Sequence, residues 1–578
     1  MTRGSRNRGF GRHLVLLVLL LAACAAPPAP RSAQTGTQPG GAAPERPRDP
    51  KKLTVGIRGT AQVLTNKLNI GNAGLGVVEV EKLVHAGLGV QDDWGQLHPT
   101  LAEAVPSLEN GLWAILPDGR METTWRLREG AKWHDGAPIT TADLRFTATV
   151  ARDREVPVFV DRTFEAIERL EAIDDRTLKV IWSRPFVQAD TLFSFAGAGA
   201  QSNLTPLPVH LLEQSYLNDK ANLHQHAYFT TEFVGAGPFR LKEYDRDNRM
   251  VVIANDAFVL GRPKIDEIEI KFIPDANTII ANLLAGTLDL TFDARSISFA
   301  QGLQIKDQWR EGQMIFARMI WVTMYPQFLN PTPAQVADVR FRRALIQAVD
   351  RQDIVDTMQA GVGGVAHHYI GPDWVEYKEI EPSLVKYDYD PRSATQALEG
   401  MGFAKGGDGA YRDPAGQRFT VEIRTTQVDI NSKSSFTVAD NWQRFGIPTE
   451  VAIVPPQRTN EREYRSTFPG FELIRPNSTI TSFESLRGSE APLPETNWAG
   501  SNRSRYRNAD LDGLIERYFV TIPTQERTQA LKEIVHHMTD QLVVMGIVYD
   551  PPLRLVANRT RNIPAGVPWN AHEWDVAR

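Results

Sequence analysis

Cys24 is the only cysteine in this chain of 578 residues, and it stands directly behind the apolar run Leu14 to Ala23, LVLLVLLLAA. Arg3, Arg6, Arg8 and Arg12 precede that run. A basic start, a short apolar stretch and a small-residue end read as a secretory signal peptide. The run falls well short of the ~20 residues that a membrane-spanning helix needs. With the one thiol placed at the cleavage point, no disulfide can form within the chain. Whatever folds after Cys24 is held by its core alone, even in an oxidising compartment.

Leu21-Ala22-Ala23-Cys24 resembles the bacterial lipobox, in which the cysteine is lipidated and becomes the mature N-terminus. On that resemblance residues 1–24 are a lipoprotein signal peptide and Cys24 is the lipidation site. The protein is then expected outside the cytoplasm, in the periplasm or on the outer cell surface, anchored to a membrane. Residues 25–50 are rich in Ala, Pro and Gly with almost no large apolar residue, and read as a disordered tether. The whole chain is 42% hydrophobic and 23% charged, ordinary for a globular protein. A formal net charge of -5 offers no basic field for nucleic acid.

Alternation and turn chemistry place the elements. Leu53, Val55 and Ile57 open a strand. Val77 to Leu88 has helical apolar spacing after the Gly-rich loop Gly71–Gly76 (GNAGLG), whose GxxGxG spacing is wrong for a dinucleotide fingerprint. A turn-rich block follows from Val90. Thr140 or Thr141 with Asp143 marks a helix start there. Ile268, Ile270 and Phe272 alternate with Glu269 and Lys271, and Asp275 then caps a helix stopped by Gly286. Asp338 to Gly361 reads as two helices, the second starting at Asp350, with Arg340, Arg342 and Arg343 on the solvated side. Phe419–Thr425, a helix from about Ser432 to Phe445 and Thr449–Val454 make a second βαβ unit, followed by the strand Phe471–Ile474. The whole reads as α/β.

No catalytic signature stands out. GxSxG and HExxH are absent, and no cysteine is left as a nucleophile. His134-Asp135 lies in turn chemistry. His367-His368 and His536-His537 are adjacent pairs, which diverge by about 100° on a helix and make poor joint metal ligands. Neither a metal nor a cofactor is expected. Carboxylate-only hydrolysis stays open, since Asp and Glu are plentiful.

Several stretches together resemble one family. They are Leu97–Ala104 (LHPTLAEA), Trp125–Leu144 (WRLREGAKWHDGAPITTADL), Gly235–Tyr244 (GAGPFRLKEY), Arg340–Ile354 (RFRRALIQAVDRQDI), Tyr389-Asp390-Pro391 with Ala394 and Leu398, and Asn508–Ile515 (NADLDGLI). In this order they resemble the bacterial extracytoplasmic solute-binding proteins of family 5, the oligopeptide, dipeptide and nickel class that serves ABC importers. The likeness runs from Lys51 to about Pro564. It implies a two-lobed periplasmic-binding-protein fold (class II, Venus-flytrap) with an additional inserted domain. Lobe I would be 51–89, 202–317 and 545–578, the inserted domain 90–201, and lobe II 318–544.

The resemblance also implies a function without catalysis: a peptide, peptide-like or small polar solute held between two lobes by a monomer and delivered to a membrane permease and its ATPase. Its candidate cleft residues are Gly74, Leu75, Gly235, Trp321, Thr323, Tyr325, Trp442, Leu473, Ile474, Arg475 and Asn477. Peptide-binding relatives place an aspartate just after the strand matching Phe471–Ile474, for the ligand's amino group. Here Arg475-Pro476-Asn477 carries no carboxylate. The expected ligand therefore lacks a free amino terminus at that point or presents an anion to Arg475, unless Arg475 is paired within the protein. A lipid-anchored hydrolase, and a ligand-loaded sensor partner or holdase, are the alternatives.

Overall fold

The structure is a computed structural model that describes residues 49–65, 67, 76–156, 162–196, 203–476 and 478–577. The signal peptide, the tether and Cys24 lie outside the described residues, as do Gly74, Leu75 and Asn477. Residues from Pro50 onward form one compact unit.

Two mixed sheets carry it. The first has seven strands in the order Gly312–Phe316, Leu553–Ala557, Leu290–Thr291, Lys52–Ile57, Glu267–Phe272, Arg249–Ala254 and Phe239–Asp245. Lys52–Ile57 runs parallel to both Glu267–Phe272 and Leu290–Thr291. The alternation at Ile268, Ile270 and Phe272 buries those three side chains and leaves Glu267, Glu269 and Lys271 half-buried. Asp275 caps helix Ala276–Leu284 by accepting the Thr278 N–H at 2.8 Å. The chain leaves that helix through Gly286 at φ 69°, a conformation that favours glycine.

The second sheet has six strands: Gly364–Val365, Met545–Asp550, Ile320–Pro326, Phe471–Ile474, Val421–Thr425 and Thr449–Ile453. Helix Asp429–Phe445 crosses over between two parallel strands, starting three residues earlier than its sequence pattern predicts. A four-stranded antiparallel sheet, Trp113–Ile115, Met121–Arg126, Thr177–Trp182 and Ile167–Ala172, interrupts the first lobe in sequence. Helix Thr141–Arg152 packs with it, and its capping box settles on Thr140 with Asp143. That sheet shares one hydrophobic core with the first lobe, whereas the second lobe has two clusters of its own.

Two short connections join the lobes. Ala317–Met319 links Gly312–Phe316 to Ile320–Pro326, and Pro551-Pro552 links Met545–Asp550 to Leu553–Ala557. In each lobe the two strands so joined pair with each other antiparallel, so the connections run side by side. The Ala317 N–H donates to the Pro552 carbonyl at 2.9 Å and ties them together.

One expectation fails on the helix Val339–Gln347. Arg340 is solvated, but Arg342 is only 2% exposed. Its Nη1 donates to the Val336 carbonyl at 2.8 Å and its Nη2 to the Gln541 carbonyl at 2.7 Å. The guanidinium satisfies carbonyls of two helical segments that sequence periodicity does not bring together. Among the described residues no helix is long and apolar enough to cross a membrane.

Candidate functional site

A cavity of about 240 Å³ lies where both lobes, their connections and the interrupting block meet. Helix Val77–Val84 supplies Glu79, Glu81 and Lys82, the turn of hairpin 89–99 supplies Asp92 and Asp93, and the first connection supplies Arg318. The far wall is Trp374 with Ser478 and Thr479. These last two follow the C-terminal end of strand Phe471–Ile474, where ligands of open α/β sheets gather. The helix can begin beside the first sheet because Gly76 sits at φ 97°, where a Cβ would lie 2.9 Å from the Ile57 Cγ2.

The electrostatics are balanced. Among the described lining residues, four carboxylates (Glu79, Glu81, Asp92 and Asp93) face four cations (Lys67, Lys82, Arg295 and Arg318). Burial pushes the Glu79 carboxyl up, with Asp293 adding to the effect and Arg295 and Arg554 opposing it. Burial pulls the Lys82 ammonium down, opposed by Glu79, Glu81 and Asp93. Lys82 also stands over the Phe195 ring at 5.7 Å. Asp92 and Asp93 are engaged within the protein. Asp92 accepts the N–H groups of Trp94 and Gln96 at 2.9 Å and pairs with His98. Asp93 accepts from Gly566 and Val567, both at 2.8 Å.

The structure places the sequence-derived candidates unevenly. Trp442 belongs to the core of the second lobe. It is fully buried, its ring lies 5.3 Å from Phe471, and its Nε1 donates to the Leu345 carbonyl at 2.9 Å. Thr323 and Leu473 are likewise interior, held by Thr323 Oγ1 to the Met545 carbonyl and by Thr425 Oγ1 to the Leu473 carbonyl, each at 2.8 Å. Ile474 is buried beside them. Gly235 braces domains instead of lining the cavity: its carbonyl accepts the His134 N–H at 2.8 Å, and the Val84 carbonyl leaves no room for a Cβ. Tyr325 is half-buried at the far end of its strand, with its phenol pushed up to about 12 by burial and pulled back by Arg503.

Trp321 comes nearest. It is 3% exposed, packs 5.8 Å from Tyr369, and follows the cavity residue Ile320. Arg475 has a protein partner, Asp550, at the end of the strand that feeds the second connection. For Gly74, Leu75 and Asn477, which are not described, the described neighbours Val78 and Ser478 line the cavity. Sequence reasoning missed Glu79, Lys82, Arg318 and Trp374. The available signal was the lobe boundary at 317–318, which marks Arg318 as a hinge residue but gives no direction to its side chain.

The model of the bacterial extracellular solute-binding proteins, family 5 (Middle), matches residues 96–481. The chain belongs to that family, and with it to the extracytoplasmic substrate-binding components of ABC importers. It is 23% identical to the oligopeptide-binding protein AppA of Bacillus subtilis over 76% of this chain and 75% of that one. It is 24% identical to heme-binding protein A of Haemophilus influenzae over 79% and 80%. Among solved structures, the oligopeptide-binding protein of Thermus thermophilus complexed with a pentapeptide superposes with a TM-score of 0.70 at 22% identity, covering 91% of this chain and 96% of that one.

Proposed function

We propose that this receptor captures a peptide, a peptide-like compound or another small polar solute between its lobes and hands it, chemically unchanged, to a membrane permease and its ATPase. One observation carries the reading: a single cavity walled by both lobes and by the connections between them. A solute there touches both lobes at once, which an open form cannot offer, so binding favours closure. Mixed charge of equal number on the lining suits a zwitterion better than a strongly anionic or cationic guest. Relatives named for oligopeptide binding support the peptide class, while the heme-binding relative shows how far specificity ranges within such a scaffold.

The same reading takes residues 51–89, 202–317 and 545–578 as lobe I, 90–201 as the inserted domain and 318–544 as lobe II. The protein works as a monomer held to the membrane by lipid on Cys24, behind a cleaved signal peptide and a tether. It needs no cofactor and catalyses nothing. Native mass spectrometry of the protein as purified, followed by titration with di- to pentapeptides, tests this. A stoichiometric adduct displaced by peptide and recovered intact is expected. A protein that carries and binds no peptide or other small polar solute, or a peptide returned cleaved, overturns the reading.

A further inference from the structure

Resting on that reading, one cation at the lobe connection narrows the chemistry of the guest. Arg318 lies in the three-residue link between strands Gly312–Phe316 and Ile320–Pro326, so whatever it binds is held at the hinge. Its guanidinium carbon is 3.7 Å from the centroid of the Trp374 ring, and both side chains line the cavity. The indole therefore covers one face of the guanidinium and leaves the N–H edge to do the bonding.

That edge is not satisfied by the protein. Arg318 Nη1 is buried without a hydrogen-bond partner among the described residues, and so is the Trp374 Nε1 beside it. The carboxylates whose fields reach Arg318 are Asp373, Asp93, Glu376 and Asp92. None of them forms an ion pair with it among the described residues. Asp373 Oδ2 accepts the Met319 N–H at 2.7 Å and its Oδ1 is buried without a hydrogen-bond partner among the described residues, while Asp93 and Asp92 are tied to the loops already described. Arg475, the other cation considered for an anion, is occupied by Asp550. A buried guanidinium donor without an acceptor is costly, and a planar carboxylate is the acceptor whose geometry matches its fork.

We propose that Arg318, backed by Trp374, is the seat for a carboxylate of the bound solute. The carboxylate comes from a peptide C-terminus or from an acidic side chain, and the probes separate the two. Tri-alanine, its C-terminal amide and the C-terminal amide of Ala-Glu-Ala are titrated by calorimetry into the wild type, Arg318→Met and Arg318→Lys. The wild type is expected to bind tri-alanine about ten- to a hundredfold more tightly than its amide. Arg318→Met should bring that ratio close to one, and Arg318→Lys should keep part of it. Recovery of affinity by the Glu-containing amide assigns the seat to a side-chain carboxylate, and its absence assigns the seat to the C-terminus.

An undiminished preference for the carboxylate-bearing probe in Arg318→Met overturns the proposal, as does a wild type that binds neither tri-alanine nor the Ala-Glu-Ala amide more tightly than the tri-alanine amide. Equal loss for all three probes makes Arg318 a brace of the connection and also overturns it. If Arg318→Met does not fold by circular dichroism, the ratio in Arg318→Lys decides: a smaller ratio supports the seat, an unchanged one refutes it. Failure of the wild type to bind any of the three probes defeats the peptide reading itself, a result distinct from a failed ratio.

Discussion

Removing Arg475 tests how the hinge is held. Its guanidinium and the Asp550 carboxylate pair with side chains only 13% and 6% exposed, and Asp550 stands opposite Ile320 on the neighbouring strand. Arg475→Met keeps the stem that packs but leaves the carboxylate buried and unpaired. Breaking a buried pair from one side costs about 3–5 kcal/mol. For an m-value of about 3 kcal/mol per molar in urea, the midpoint should fall by about 1–1.7 M. Adding Asp550→Asn removes the stranded charge, so the double variant should regain stability relative to the sum of the singles by about 1–3 kcal/mol. Urea denaturation followed by tryptophan fluorescence on all four proteins closes the cycle. Single effects that add to within about 0.5 kcal/mol would show that the two groups do not interact. In the same variant, the preference between peptide acid and amide should persist, because the account gives Arg475 to the protein and not to the solute.

Two further outcomes follow from buried groups. Trp442→Ala should destabilise the second lobe by about 3–5 kcal/mol through the cavity it opens, with ligand selectivity unchanged in calorimetry; a change of selectivity would return Trp442 to the cleft. Stability should also fall on acidification. Burial depresses both His85 and His368 to about 3, below the ordinary value of 6.5. The unfolded chain therefore takes up their protons first, and stability is full above pH 6.5 and lost as pH drops towards 3. By pH 5.5 the pair costs about 3 kcal/mol. Asp190 works the other way: burial raises its carboxyl to about 6, so the native state binds that proton first and returns about 1 kcal/mol by pH 5.5. Urea midpoints at pH 7.5, 6.5 and 5.5 should decline, with His85→Phe removing about 1.4 kcal/mol of the loss. A flat profile would contradict the assignment.

Much of the scaffold could be read in advance because it depends on local rules. Alternation at Ile268, Ile270 and Phe272 carries its own sheet face, and Asp275 and Asp350 each cap a helix through contacts three residues away. What escaped the sequence is long-range. Arg342 looks like a surface charge until the Val336 and Gln541 carbonyls arrive, and the partner of Arg475 lies 75 positions along the chain. Trp442 has the same local pattern whether its helix face meets solute or sheet, and only Phe471 and the Leu345 carbonyl decide. For the same reason local pattern could not bring together Glu79, Lys82, Arg318 and Trp374, whose meeting depends on how two lobes and a hairpin turn converge.

Closure over an unaltered guest is most directly measured by small-angle scattering with and without a saturating peptide, the peptide being recovered afterwards for mass analysis. A smaller radius of gyration with ligand and a peptide of unchanged mass are the expected result. An envelope that stays the same across a broad solute library, or a peptide recovered in pieces, would contradict the account.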